Sequence, residues 1–251
     1  MDYGYQVLRH TVQQVFGNLG QAARLTLPLV IIPTAFFLLT NPVVFTGNQM
    51  GQQPVDPQSI SWGLLLIGLL MSLLCWCWAA VVWHRFVLLE EYADGFLPRW
   101  RGDRVFSYLG KALVVGLLVI GASLLMGIGI GIVLAAVPVP AVGIILGFGL
   151  IFGVSWIATR VGLILPAAAI GAPLKVGESW DATAPVSAQI ILPIFVIAIV
   201  GALASQVMIL IFGATMLGAI ASVAVSWLQL LVNLALMTTL YGNLVEGRQL
   251  N

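Results

Sequence analysis

Long apolar blocks separated by short polar connections organise this chain. A membrane-crossing helix needs about 20 predominantly apolar residues. Runs of at least that length fall at about 25–45, 61–87, 106–136, 139–169, 186–212 and 216–243. The longer intervals call for tilt, interfacial turns or both. Val137-Pro138-Val139-Pro140 divides the third block from the fourth, because proline disfavours continuing a preceding helix. The fifth and sixth blocks meet near Gly213-Ala214-Thr215, without a proline. One helix over 186–243 would be far too long for a single crossing, so a turn is required there. The pattern predicts an all-α, polytopic membrane protein with six transmembrane helices, forming one integral domain over residues 1–251.

The first 20 residues follow a different pattern. Leu8, Val12, Val15 and Phe16 recur at helical spacing, while Arg9, Gln13 and Gln14 are polar. This predicts a short amphipathic helix in the membrane interface, ended by Asn18 and Gly20 before the first apolar block. A disordered polar lead-in is the alternative. The opening lacks a short basic region followed directly by an apolar core and a small-residue cleavage site, so it does not read as a signal peptide. The first block, which contains Pro28 and Pro33, is expected to remain as a membrane helix.

Composition strengthens the membrane reading. Only 8% of the 251 residues are charged and 61% are hydrophobic, and the mean hydropathy is +1.08. A soluble domain normally carries about 25% charged residues. The net charge of +1 gives no sign of a nucleic-acid partner, and no basic stripe, zinc-finger spacing or helix-turn-helix pattern appears.

The few charges orient the chain. The ten Lys and Arg residues fall in or beside alternate connections: Arg9 and Arg24, then Arg85 to Lys111, then Arg160 and Lys175, then Arg248. The intervening connections, 46–60, 137–140 and 213–215, contain none. By the positive-inside rule, six crossings with both termini cytoplasmic satisfy every step. Five or seven crossings would break the alternation. Trp83, Trp100 and Trp180 then lie near inner boundaries and Trp62 near the outer one.

Arg85 and Arg160 stand out because apolar sequence continues after each. Two readings fit. The guanidinium snorkels to headgroups while its stem stays apolar, or it is held in the bundle by Glu90, Glu178, Asp181 or a helix carbonyl. Together with Asn233, they make the candidate polar or lipid-headgroup site. Ser226, Gln229 and Asn233 share one face of the sixth helix, a placement suited to bridging helices. Between the second and third blocks, Glu90, Glu91, Asp94 and Asp103 mix with Arg99, Arg101, Arg104 and Lys111. This reads as a compact loop laced by ion pairs. Arg99, Trp100, Arg101 and Arg104 form its candidate partner-docking surface.

Catalytic and metal-binding signals are missing. There is no H-E-x-x-H, P-loop, G-x-S-x-G or dinucleotide fingerprint. His10 and His84 belong to different regions, and Cys75 and Cys77 lie within one apolar helix, about 200° apart around its axis. No metal, cofactor or mutual disulfide is expected. Gly127 and Gly131, Gly143 and Gly147, and Gly149 and Gly153 have the small-residue spacing of close helix contacts. They suit internal packing of the third and fourth helices or a dimer seam. A loose similarity around Arg85 and Arg160, 75 residues apart, also suggests repeated helical hairpins.

The segments WHRFVLLEE and ATRVGLILPAAAIGAPLKVGESWDAT, within the six-helix frame, resemble uncharacterised bacterial inner-membrane proteins. They are also distantly similar to the membrane region attached to some glycerophosphodiester phosphodiesterases. The resemblance implies placement in a bacterial inner membrane, among membrane lipids. It implies no hydrolase activity, since the carboxylate and histidine constellation for that reaction is missing. The leading functional expectation is a non-enzymatic accessory or scaffold subunit that contacts another membrane protein or a second copy of itself. The alternative is a small transporter or lipid-handling protein using Arg85, Arg160 and Asn233. A membrane enzyme is a third expectation.

The orientation is testable with an impermeant thiol reagent on intact cells. Asn48→Cys should be labelled, whereas Arg99→Cys should react only after permeabilisation. The reverse pattern would invert the topology.

Overall fold

The computed structural model describes residues 2–41, 60–93, 95–137, 139–213 and 215–250. Residues 42–59, which include all of the expected outer connection 46–60 except Ile60, lie outside the described residues. So do Asp94, Pro138 and Ala214.

The chain begins with α1 (Tyr3–Phe16) and α2 (Leu19–Thr40), followed by α3 (Trp62–Leu89) and α4 (Gly102–Ala136). Next come α5 (Pro140–Val161), the short helices α6 (Ile164–Ile170) and α7 (Val176–Thr183), then α8 (Ile191–Phe212) and α9 (Met216–Leu244). No strand occurs among the described residues. Six stretches are long and apolar enough to cross a membrane: α2, α3, α4, α5 together with α6, α8, and α9. The protein therefore has the expected all-α, six-span architecture, preceded by a short amphipathic helix.

Several boundaries differ from expectation. The first span begins at Leu19 rather than near Leu25, because the break falls at Gly17 and Asn18 and leaves Gly20 inside α2. The Asn18 side chain donates to the Gln14 carbonyl, while its own carbonyl accepts from Ala22. The fourth span is interrupted after Val161. Pro166 has no N–H for the Gly162 carbonyl, which accepts from Leu165 instead at 2.9 Å. The fifth span starts at Ile191, after the 3-10 turn Ala184–Val186.

The residue pattern of α1 also resolves differently. Its buried face is Gly4, Val7, Thr11 and Val15, a stripe at helical spacing that docks against α8 and α9. Leu8, Val12 and Phe16 occupy the adjoining stripe and line an apolar groove with α8 and α9. Tyr3 pins the start of α1 by donating to Asn243 Oδ1 at 2.8 Å. Burial raises the Tyr3 phenol pKa to about 12.

Burial is concentrated at one end of the bundle. In α3 the buried residues run mainly from Cys75 to Leu88, and in α9 mainly from Leu231 to Gly242. In α4 only Val105 and Tyr108 are buried, and in α5 only Thr159, Arg160 and Val161. The core thus lies near the charged connections, built mainly from α1, α2, α3, α6 and α9, with Val105 and Tyr108 of α4 and Ile194 and Ile197 of α8. Trp83 belongs to this core and is fully buried, so it is not the interfacial anchor its position suggested. Cys75 and Cys77 are both buried free thiols.

Gly171 closes α6 in the left-handed conformation, with φ of 85°. Its N–H and that of Ala172 both return to the Ala167 carbonyl at 2.9 Å. A β-carbon here would also collide with the Arg104 guanidinium. Gly171→Ala should therefore destabilise the bundle by about 1–2 kcal/mol from backbone strain, plus the displacement of Arg104. Denaturant unfolding in micelles measures this loss.

Candidate functional site

The charged end is built around helix termini. The last carbonyls of a helix have no partner within it, and little water reaches those held near the membrane. Arginine supplies several donors at fixed angles and remains charged. Arg85, Arg160 and Arg248 each meet such a carbonyl.

Arg85, one turn before the end of α3, lies between that helix and α6. Its Nη1 donates to the Ala169 carbonyl at 3.0 Å. Its Nε and Nη2 grip Glu91 as a fork, at 2.8 and 2.6 Å. Arg101 Nη2 donates to the same carboxylate at 2.7 Å. The Arg85 side chain is only 10% exposed and Glu91 is 36% exposed, so the ion pair straddles the surface of the core. A turn makes this geometry possible: Glu90 takes φ of 55°, which reverses the chain and returns Glu91 to the helix it has just left. For a non-glycine residue that conformation costs about 1–2 kcal/mol, offset by the Glu91 clamp.

Arg160 has no carboxylate partner within ion-pair distance among the described residues. Nε donates to Thr183 Oγ1 at 3.1 Å and Nη2 to the Trp180 carbonyl at 2.7 Å. The guanidinium carbon is 3.5 Å from the Trp180 ring centroid and 4.9 Å from that of Trp156. Ser179 Oγ donates to the Arg160 carbonyl at 2.6 Å, completing the junction of α5 with α7. Arg248 performs the third closure: Nη2 donates to the Leu88 carbonyl at 2.7 Å, while Nε donates to Glu246.

Of the expected partners, a helix carbonyl serves both Arg85 and Arg160, whereas Glu90, Glu178 and Asp181 form none of these ion pairs. Glu178 instead accepts from the Lys175 N–H and caps its own helix. Nor do Arg85, Arg160 and Asn233 share a partner. Asn233 is exposed, and its amide donates to the Gln229 carbonyl one turn back. Ser226 is exposed as well, while Gln229 lies against Gly201. The polar face of α9 therefore does not bridge helices as a set.

The proposed docking loop is folded back onto the bundle. Trp100 packs edge-on against Trp78 at 4.9 Å. Arg101 binds Glu91, and Arg104 pairs with Asp103 at 3.0 Å. Arg99 remains exposed. His84 is fully buried, with Nδ1 2.8 Å from Thr238 Oγ1. Because that hydroxyl donates to the Leu234 carbonyl, it accepts from the His84 Nδ1–H.

Two surface recesses also reach the charged end. A polar cleft of about 410 Å³ opens between α1 and the end of α3, with His10, Gln14, Glu90 and Tyr92 in its walls. A larger groove of about 650 Å³ runs along α2 beside Arg24. Sequence reasoning missed both, as well as the roles of Glu91, Thr183, Trp156 and Arg248. One signal was present: Trp156 and Arg160 are four residues apart, a helical spacing that stacks a ring against a guanidinium.

These features define a class: an all-α, multi-pass membrane protein closed at one end by three arginines, of which Arg85 and Arg160 are buried and Arg248 is exposed. No family model, no curated protein and no solved structure matches the chain.

The Glu91 clamp has a measurable pH signature. The hydrogen bond from Arg85 is the main cause holding the Glu91 carboxyl below its usual range, and partial burial opposes it. A depressed folded pKa stabilises the protein above the unfolded value of about 4.3. That contribution is lost as pH falls through the lower, folded value. Glu91→Gln should cost about 1–3 kcal/mol near neutrality. It should also flatten the acid limb of unfolding measured from pH 7 to 3.

Proposed function

We propose that this chain is a non-enzymatic accessory or scaffold subunit of a membrane assembly, with the α4–α5 hairpin as its contact surface. One observation carries the reading. The most apolar window of α4, and that of the span containing α5, have 0% of their residues buried, against 33% in both α2 and α3. A hairpin that contributes so little to its own fold is available to another helix.

The glycine pattern supports this role. Of the paired glycines, only Gly143 and Gly153 have a neighbour within 4 Å of an added β-carbon, namely Leu134 and Met126. Gly127, Gly131, Gly147 and Gly149 face open space. The glycines therefore contribute little to packing within the hairpin, contrary to one expectation. Their open positions permit another backbone to approach closely, which favours helix association in lipid. Arg85 and Arg160 are less suited to gating a pathway, because both are buried and their donors are engaged by the fold.

In this proposal the charged end faces the cytoplasm, with both termini on that side, because it carries the Lys- and Arg-bearing connections. The resemblance to bacterial inner-membrane proteins supports a bacterial inner membrane as the site of assembly.

Purification in mild detergent with mass measurement tests the role. A stoichiometric membrane-protein partner, or a second copy, should accompany the chain. Gly147→Leu enters open space, so it should release that partner while shifting folding stability by no more than about 0.5 kcal/mol. A strictly monomeric wild-type chain would overturn the proposal.

A further inference from the structure

The groove beside α2 combines a cation with a long apolar wall. Ala23, Arg24, Leu27, Pro28, Ile31 and Ile32 form one side, and Ala93, Gly95 and Phe96 the other. Its volume of about 650 Å³ lies within the usual range for small-molecule sites. Arg24 is exposed and makes no ion pair or hydrogen bond among the described residues. This separates it from Arg85, Arg160 and Arg248, whose guanidinium groups are engaged at helix ends.

The dimensions identify the ligand class. Arg24 and Ile32 are eight residues apart, or about 12 Å along a helix. That is close to the hydrocarbon depth of one leaflet, about 15 Å. Arg24 lies near the start of α2, toward the charged end, and the apolar residues continue along the helix away from that end. Phe96, 84% exposed, stands at the same end as an aromatic wall and suits the interface. A free anion would engage Arg24 but leave the groove unused. An uncharged lipid would fill the groove but leave the cation without a counter-charge.

We infer that this groove is a binding site for one anionic phospholipid, with its headgroup at Arg24 and an acyl chain along Leu27, Ile31 and Ile32. The inference is independent of the assembly role of the α4–α5 hairpin. One basic side chain near a membrane surface contributes enough attraction for about a fivefold preference.

Native mass spectrometry of the full chain from mixed phosphatidylglycerol and phosphatidylcholine nanodiscs tests the site. The wild type should retain phosphatidylglycerol about fivefold above its share of the mixture. Arg24→Gln should reduce retention to the mixing ratio, whereas Arg24→Lys should keep the preference. Ile32→Trp, which fills the groove but leaves Arg24 in place, should lose both lipids. Arg9→Gln removes another exposed cation and should change nothing. Inorganic phosphate should not displace the lipid; efficient displacement would indicate a free-anion site and overturn the inference. Unchanged selectivity in Arg24→Gln, or an equal loss in Arg9→Gln, would also overturn it. Should Arg24→Gln fail to fold, retained binding by Ile32→Trp alone suffices to reject the groove.

Discussion

The bundle depends on satisfying helix-end carbonyls where water is scarce. A helix that stops near the membrane leaves its last carbonyls without intrahelical partners, and burying them unpaired is costly. Arg85, Arg160 and Arg248 supply the missing donors, each from a different part of the chain. The Arg85 closure carries the most consequence. It joins the end of α3 to the end of α6 and holds the following loop through Glu91 and Arg101. Removing one member would leave a buried charge or carbonyl without its partner, so the arrangement is far more valuable whole than its separate hydrogen bonds suggest.

This closure accounts for the uneven packing. Near the arginines, large side chains such as Trp83, Leu25 and Leu231 are fully or almost fully buried. Farther along α4 and α5, most apolar side chains face outward. Lipid can cover such surfaces without the hydrophobic penalty that water would impose. A membrane protein can therefore leave a hairpin unpacked, as this one does, while a tight end preserves the fold. The same asymmetry leaves open glycine positions for a neighbouring helix and a groove beside Arg24 for lipid.

Much of the architecture was legible before the fold was known. Apolar run length located the spans, and prolines marked the break between α4 and α5. Arg85 and Arg160 were also conspicuous as charges embedded in apolar sequence. Their partners were not legible in the same way. Arg85 bonds Ala169, 84 residues away, and reaches Glu91 only because Glu90 adopts a left-handed turn. Arg160 uses a carbonyl, a hydroxyl and two aromatic faces, rather than Glu178 or Asp181. Asn233 shows the opposite limit. Helical spacing placed it with Gln229 and Ser226, but spacing did not indicate whether that face met protein or lipid.

Sequence by itself determined the all-helical, six-span character, because run length and the absence of charge are local properties set by the thickness of hydrocarbon. It also separated the charged connections from the uncharged ones. Tertiary structure decided which helix face was buried, which carbonyl each arginine served, and which glycines remained open. In lipid, apolar residues are equally acceptable against protein or acyl chains, so hydrophobicity does not distinguish these surfaces. Only the approach of helices distant in sequence assigned Arg85 and Arg160 to the closure of the bundle and left Arg24 at the edge of a groove.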